Sequence, residues 1–179
     1  VAIPRILETY RRLDIQQSFF LPGWCIETYP DAVEAILKGG HEIGHHGYLH
    51  EDPIEGPDQR YWFERALTAY RKYCGGTPAG YRAPVYNINQ EVVDLLVEHG
   101  FRYESSMMAD DIPYQVETAK GSFWEMPVHW GTDDWPPFAH YAEIGYMMPV
   151  KAPSVGLGAF WEEFDATYEA GWFFMLIVH

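Results

Sequence analysis

The sequence predicts an α/β fold in which strands and helices alternate around a parallel sheet. Two observations predict it. Short apolar runs, each closed by Gly or Pro, alternate with segments whose apolar residues recur at helical spacing. The connections between them are short, as in βα units, where each helix returns the chain to lay the next strand parallel to the last. The size fits: 179 residues suffice for one domain with a sizeable core, and 47% hydrophobic with 21% charged residues is a globular composition.

The elements follow in order. Pro4 opens a helix through residues 5–13, the ring sitting near the first helical position where no N–H is needed. Asp14 breaks it. Residues 16–21 read as a buried strand ended by Pro22-Gly23. A second helix starts at Thr28-Tyr29-Pro30-Asp31, carries Val33, Ile36 and Leu37, and closes at Gly39-Gly40. Residues 41–44 form a short buried strand. After a Pro/Gly-rich loop at 51–58, residues 60–73 make a third helix. Residues 80–84 read as strand and turn, Asn89 caps a helix over 90–99 that Gly100 ends, and residues 101–104 are the next strand. Residues 105–121 and 130–153 read as two long loops rich in aromatics, Met and Pro, of the kind that serve as lids or substrate walls. A strand at 123–128 separates them. A last helix over 158–171 precedes a wholly apolar strand at 172–178.

Charge and composition exclude some partners. A net charge of −14 repels phosphate backbones and anionic lipid heads, so neither nucleic acid nor membrane is expected as a partner. No apolar run approaches the roughly 20 residues that span a bilayer. Aromatics at 17% serve either a large core or a groove that stacks on sugar faces, and composition does not choose. Cys25 and Cys74 are expected as free, mostly buried thiols, which leans towards the cytoplasm.

The chemistry concentrates between Gly40 and His50, which hold four of the eight histidines. His46 and His50 stand four apart, a spacing that on one helical turn projects both imidazoles from the same face towards one metal ion. The pair follows a strand, and α/β folds place active sites at strand C-termini. His41 is expected to cap or orient the strand, and His45 to point away from His46. Ordinary loop histidines are the alternative for all four.

Taken together the motifs resemble the polysaccharide deacetylase family, the NodB-homology domain of carbohydrate esterase family four, in its intracellular peptidoglycan deacetylase-like and allantoinase-like branch. His46-Gly47-Tyr48-Leu49-His50 is similar to its metal-binding HxxxH, with Gly47 where Ser or Thr is usual. Arg82-Ala83-Pro84-Val85-Tyr86 is similar to RxPxY, Asp134-Trp135 to the Asp-Trp of the fourth motif, and Leu176-Ile177-Val178-His179 to the final LxxH. The resemblance implies a distorted (β/α) barrel, TIM-barrel-like, here partial, lacking the first strand and the C-terminal end. Residues 1–179 are then expected as a single catalytic-type domain cut at both ends. The family's first motif, which supplies a ligand Asp and the base Asp, would lie before Val1. The segment alone is therefore expected to bind metal poorly, to be inactive, and to be unstable or to associate with identical copies through unpaired edges.

What the resemblance further implies is metal-assisted amide hydrolysis with a divalent ion, zinc being expected, on His46 and His50. His179 would protonate the departing amine, with Asp134 holding its imidazolium. Arg82 would keep the base carboxylate ionised. The Tyr86 backbone N–H would face the oxyanion, and Trp135 with Trp130 would wall the acyl pocket. Plainer roles remain open: a structural ion pair for Arg82, a turn residue for Asp134 with Asp133 competing, packing for Tyr86 and Trp135. His99 is expected as a helix-dipole partner, and His129 and His140 as surface residues. The substrate expected is an N-acetylated sugar of a polysaccharide or peptidoglycan. The alternatives are a cyclic imide or allantoin-like ring, favoured if Trp130, Trp135 and Tyr146 close a narrow pocket, and a non-catalytic carbohydrate-binding scaffold.

Overall fold

In a computed structural model, which describes residues 2–52, 58–139 and 150–179, the chain divides into two compact units. One holds Val1–Met107 and Gln115–Glu125; the other holds Met108–Tyr114 and Met126–His179. No helix is long and apolar enough to cross a membrane among the described residues.

The first unit is built of βα units. Helix α1 (Ala2–Leu13) leads into strand β1 (Ser18–Leu21), a short helix α2 (Gly23–Thr28) and helix α3 (Pro30–Lys38), which begins on its proline. Strand β2 (Glu42–His45) is followed by helix α4 (Gln59–Tyr73), where the Asp58 side chain accepts from the Tyr61 N–H. Strand β3 (Gly80–Tyr81) precedes helix α5 (Gln90–His99). Asn89 caps its start and Gly100, in the left-handed region, ends it. Strands β4 (Tyr103–Glu104), β5 (Tyr114–Thr118) and β6 (Gly121–Glu125) complete the sheet, whose order is β1-β2-β3-β4-β6-β5. From β1 to β6 through β4 every pairing is parallel.

Two apolar clusters pack on this sheet. Phe63 and Leu67 of α4 join Val92, Leu95 and Leu96 of α5 around Tyr81, Phe101 and Phe123. Ile26, Val33, Ile36, Ile43 and Tyr70 form the other, with Ile3 and Leu7 of α1 against it. α4 supplies both because its apolar stripe is wide enough to face two neighbours. The parallel α/β architecture expected from the sequence is the one observed.

Several elements differ from the sequence expectation. Helix α2 follows Pro22 directly, where only a turn was expected. Strand β5 lies inside the stretch read as loop: Tyr114-Gln115-Val116-Glu117-Thr118 alternates half-buried and exposed positions, the strand period, and turns back into β6 through a tight turn at Thr118. The second unit carries short helix α6 (Trp135–Phe138) and helix α7 (Pro153–Ala170). α7 starts earlier than expected because Pro153 takes the first helical position. The apolar segment 172–178 is not a strand. Among the described residues its backbone forms a β-bridge at Ile177, whose N–H donates to the Thr132 carbonyl at 2.9 Å and whose carbonyl accepts from the Asp134 N–H at 3.1 Å. An apolar run needs a neighbouring ladder to become a strand, and among the described residues it finds one bridge. His140 and Tyr146 lie outside the described residues. Both cysteines are free thiols, half-buried rather than mostly buried.

Close packing on β2 gives a direct test. A Cβ at Gly44 would lie 2.6 Å from the Phe20 ring and 3.2 Å from the Gly80 carbonyl oxygen. Gly44→Ala is expected to lower stability by about 1–3 kcal/mol, an overpacking cost, read as a lower urea midpoint at unchanged slope.

Candidate active site

β2 delivers His45, and the chain leaves the strand through an irregular loop from His46 to His50. The two imidazoles do converge, with ring centroids 4.9 Å apart and planes at 75°. They do so without a helix, which corrects the helical-turn reasoning. Gly47 (φ +68°) and His50 (φ +63°) both adopt left-handed backbone, and this reversal brings the fourth residue back over the first. Several bonds hold the loop. Glu51 accepts from the Tyr48 N–H at 2.8 Å and the Leu49 N–H at 2.6 Å. The first N–H groups of α2, on Gly23 and Trp24, donate to the Gly47 and Tyr48 carbonyls at 2.9 and 3.0 Å.

His46 Nδ1 lies 2.7 Å from the Arg82 carbonyl, so Nδ1 carries the proton and Nε2 keeps its lone pair. Burial pushes the His46 pKa down to about 3, which holds the ring neutral. A neutral imidazole with one tautomer fixed by a carbonyl is the form that ligates a metal. His50, exposed, completes a two-nitrogen pair, a donor set that fits zinc. Among the described residues no third His, Cys or carboxylate groups with this pair. The neighbouring histidines have other work. His45 is buried, with Nε2 on the Phe63 carbonyl at 3.0 Å and its ring stacked on Phe63 at 4.4 Å. His41 Nδ1 accepts from the Gln17 N–H at 3.2 Å, tying the start of β2 to the start of β1.

Beside β2, Arg82 leaves β3 with its N–H on the His45 carbonyl at 3.0 Å. Its guanidinium lies over the Phe20 ring at 4.4 Å and donates to Ser105, from Nε to the carbonyl at 2.9 Å and from Nη2 to Oγ at 2.6 Å. The next residues form a 3-10 turn, Pro84–Tyr86, in which Val85 (φ 51°) and Tyr86 (φ 59°) are both left-handed. For a β-branched residue this conformation is an outlier, and each such residue costs on the order of 1–3 kcal/mol. Strain of this size persists where surrounding contacts fix it; Asn87 supplies one, donating to Asp52 at 2.7 Å. The Tyr86 N–H, expected to face an oxyanion, donates here to the Ala83 carbonyl at 3.1 Å.

Sequence reasoning missed two carboxyls. Glu104 ends β4 and Glu125 ends β6; they are register partners in adjacent parallel strands, and neither exposes any surface. Burial, the largest cause for each, pushes both carboxyl pKa values up, and each is affected by the other. The available signal was a Glu at the last position of two apolar strands, on a pleat position that otherwise takes core residues.

The second unit assembles its own group. Asp134 Oδ1 accepts from His179 twice, from the backbone N–H at 3.0 Å and from Nδ1 at 2.9 Å. Asp133 is buried and accepts from the Trp135 N–H at 2.7 Å, with His179 Nδ1 at 3.5 Å. The two aspartates thus divide the work: one shapes the turn, the other holds the imidazole. Trp135 meets the His179 ring edge-on at 5.4 Å. Trp130 lies exposed on the 3-10 turn Trp130–Thr132. His129 caps that turn, accepting from the Gly131 N–H at 3.2 Å, and lines a cleft of about 330 Å³ with Thr132 and Glu163. His99 ends α5, as a dipole partner would, and its ring stacks on Phe63 at 5.7 Å. Of the residues singled out in the sequence, His46, His50 and Arg82 come together in the first unit. Asp134, His179 and Trp135 come together in the second.

Comparison with known proteins bears on this arrangement. The sequence model of the polysaccharide deacetylase family matches residues 2–104. A peptidoglycan deacetylase of Helicobacter pylori is 28% identical over 197 aligned positions, covering 94% of this chain and 66% of that protein. A peptidoglycan deacetylase-like protein of Gibberella zeae is 34% identical over 62% of this chain and 34% of its own length. The crystal structure of a polysaccharide deacetylase-type protein from Mycobacterium smegmatis superposes with a TM-score of 0.91 at 33% identity, covering 99% of this chain and 63% of that one. An allantoinase shares the fold at a TM-score of 0.78 and 22% identity. With these structures the chain shares a (β/α) barrel-like fold. It spans about two thirds of the Helicobacter protein and less of the others.

The buried His45 and the partly buried His46 set how stability depends on pH. His45 and His46 have folded pKa values of about 4 and about 3 against an ordinary 6.5. The unfolded chain therefore binds more protons than the folded one between those values. Their contribution is complete above pH 6.5 and is lost as pH falls through about 4. Urea unfolding of the metal-free protein is expected to show stability falling across this window, and His45→Gln to reduce the slope.

Proposed function

The chain belongs to the polysaccharide deacetylase family, and on that footing we propose that it forms the metal-dependent part of a hydrolase acting on non-peptide C–N bonds. The reaction proposed is removal of acetyl groups from N-acetylated sugars of a polysaccharide or peptidoglycan. The observation that carries this reading is the convergence of His46 and His50 with the His46 proton committed to the Arg82 carbonyl. This is a donor pair pre-set for one divalent ion, zinc by its nitrogen ligands. Peptidoglycan deacetylase is the printed name of the Helicobacter relative, and it supports the substrate class.

When bound, a divalent ion supplies Lewis-acid activation of water and of the amide carbonyl. The chain's own residues do the rest. His46 offers Nε2 without first losing a proton. Arg82, anchored on Ser105, presents a fixed positive charge that keeps a base carboxylate ionised. His179, with Nδ1 on Asp134, turns Nε2 outward as the proton carrier for the departing amine. Trp135, half-exposed beside that imidazole, offers an apolar wall for an acetyl methyl.

The test is an assay of the full-length protein with zinc on N-acetylglucosamine oligomers and, separately, on succinimide. Acetate release from the oligomers is expected, abolished by chelation and by His46→Ala or His50→Ala. His179→Ala is expected to lower kcat on the order of 10²–10⁴-fold, the usual worth of a positioned acid. Ring opening of succinimide without acetate release would move the substrate to cyclic imides. A zinc-loaded protein that hydrolyses neither would favour a carbohydrate-binding scaffold.

A further inference from the structure

The carboxyl pair at the ends of β4 and β6 has no place in the reaction just described, yet its contacts lead to it. Glu104 and Glu125 are fully buried neighbours, and among the described residues neither is paired with a Lys or Arg. Two carboxylates cannot both stay ionised in such a place, because each charge is costly without a cation and each repels the other. Their donors are few. The Ser106 N–H reaches Glu104 Oε2 at 2.9 Å and Glu125 Oε1 at 3.1 Å; the Met107 N–H reaches the same Glu125 oxygen at 3.0 Å. Glu125 Oε2 meets no donor among the described residues. A proton on that oxygen, directed at Glu104, satisfies it and leaves the pair with a single negative charge for the Ser106 groups to meet.

The Ser106 hydroxyl donates to Glu104. A hydroxyl has one proton to give, so donation there commits its oxygen as an acceptor, and the Ala83 N–H uses it at 2.7 Å. The adjoining Ser105 holds the Arg82 guanidinium from both its carbonyl and its hydroxyl. The peptide between Arg82 and Ala83 is thereby pinned at its N–H, and its carbonyl is the one that takes the His46 Nδ1 proton.

We propose that Glu104 and Glu125, sharing one proton, are positioning residues: through Ser106 they fix the Arg82–Ala83 peptide that sets the tautomer and direction of His46. The groups facing the pair are Ser105, Ser106 and Met107 on the following segment and Tyr81 on β3, whose phenol burial, and then the Glu104 charge, push well up. Arg82 lies one step further, on Ser105. The metal consequence rests on the hydrolase reading above; the shared proton and the pinned peptide do not.

The test uses the full-length protein without substrate. Difference infrared spectroscopy at pH 7 is expected to show a protonated carboxylic acid band that Glu125→Gln removes. Ser106→Ala, which keeps both carboxyls and both histidines and removes only the hydroxyl between Glu104 and the Ala83 N–H, is expected to weaken Co2+ binding on the order of 10-fold, the lower end for outer partners of a metal ligand, with Ser106→Thr restoring it. Raised carboxyl pKa values stabilise the fold at low pH, and that contribution is lost as pH rises. Glu125→Gln is therefore expected to flatten the decline in apo-protein stability above neutrality. A folded Ser106→Ala protein with unchanged Co2+ affinity, or a wild-type spectrum without the band, overturns the inference. None of these readouts involves turnover, so an inactive protein that still shows the band and the Co2+ effect loses the hydrolase reading and keeps this one.

Discussion

The hydrogen bond from His46 Nδ1 to the Arg82 carbonyl joins the turns that follow two neighbouring parallel strands, β2 and β3. In a parallel sheet all such turns leave from the same edge, so residues far apart in the chain meet there without long connections. Two further bonds surround this one: the Arg82 N–H donates to the His45 carbonyl, and the Ala83 N–H donates to the Ser106 hydroxyl oxygen. A displacement of the Arg82 peptide would free the imidazole to rotate and exchange tautomers. The geometry of the histidine pair is in this sense decided by a residue outside the pair.

The surroundings of that peptide carry costs that local sequence preference does not explain. Val85 and Tyr86 sit in left-handed backbone although neither is glycine. Two carboxyls occupy sheet positions that an apolar residue would fill at less expense in desolvation. His46 is kept neutral far below its ordinary range. Such departures from the rules that otherwise govern the fold cluster at the C-terminal ends of β2, β3, β4 and β6, where ligands bind in α/β sheets. Elsewhere in the first unit, caps and apolar stripes agree with the local sequence, as at Asn89, Gly100 and Pro30.

The second unit shows the same economy on a smaller scale. Adjacent aspartates take different environments, Asp133 buried against a turn N–H and Asp134 half-exposed on His179, because the bridge at Ile177 fixes the backbone of both. The segment that carries His179 is apolar, and among the described residues its backbone makes one β-bridge, at Ile177. What orients the imidazole is therefore the Asp134 carboxylate, bonded to both its ring and its backbone N–H.

The sequence alone determined the parallel α/β architecture, the helices over 60–73 and 90–99 nearly to the residue, and the identity of His46, His50, Arg82, Asp134 and His179 as a candidate set. Period, capping residues and motif spacing are local signals, and these features are local in origin. Strand β5 was also legible, through its alternation, but was hidden between aromatic and Pro-rich flanks. Only the tertiary structure decided that the 172–178 run forms no strand, since a ladder requires a neighbour that no sequence window contains. It alone decided that the histidine pair meets through left-handed backbone rather than a helix, because the bonds that hold the loop come from α2, Glu51 and β3. And it alone brought Glu104 against Glu125, since register between β4 and β6, with β5 between them in the chain, is set by packing, not by either strand's own residues.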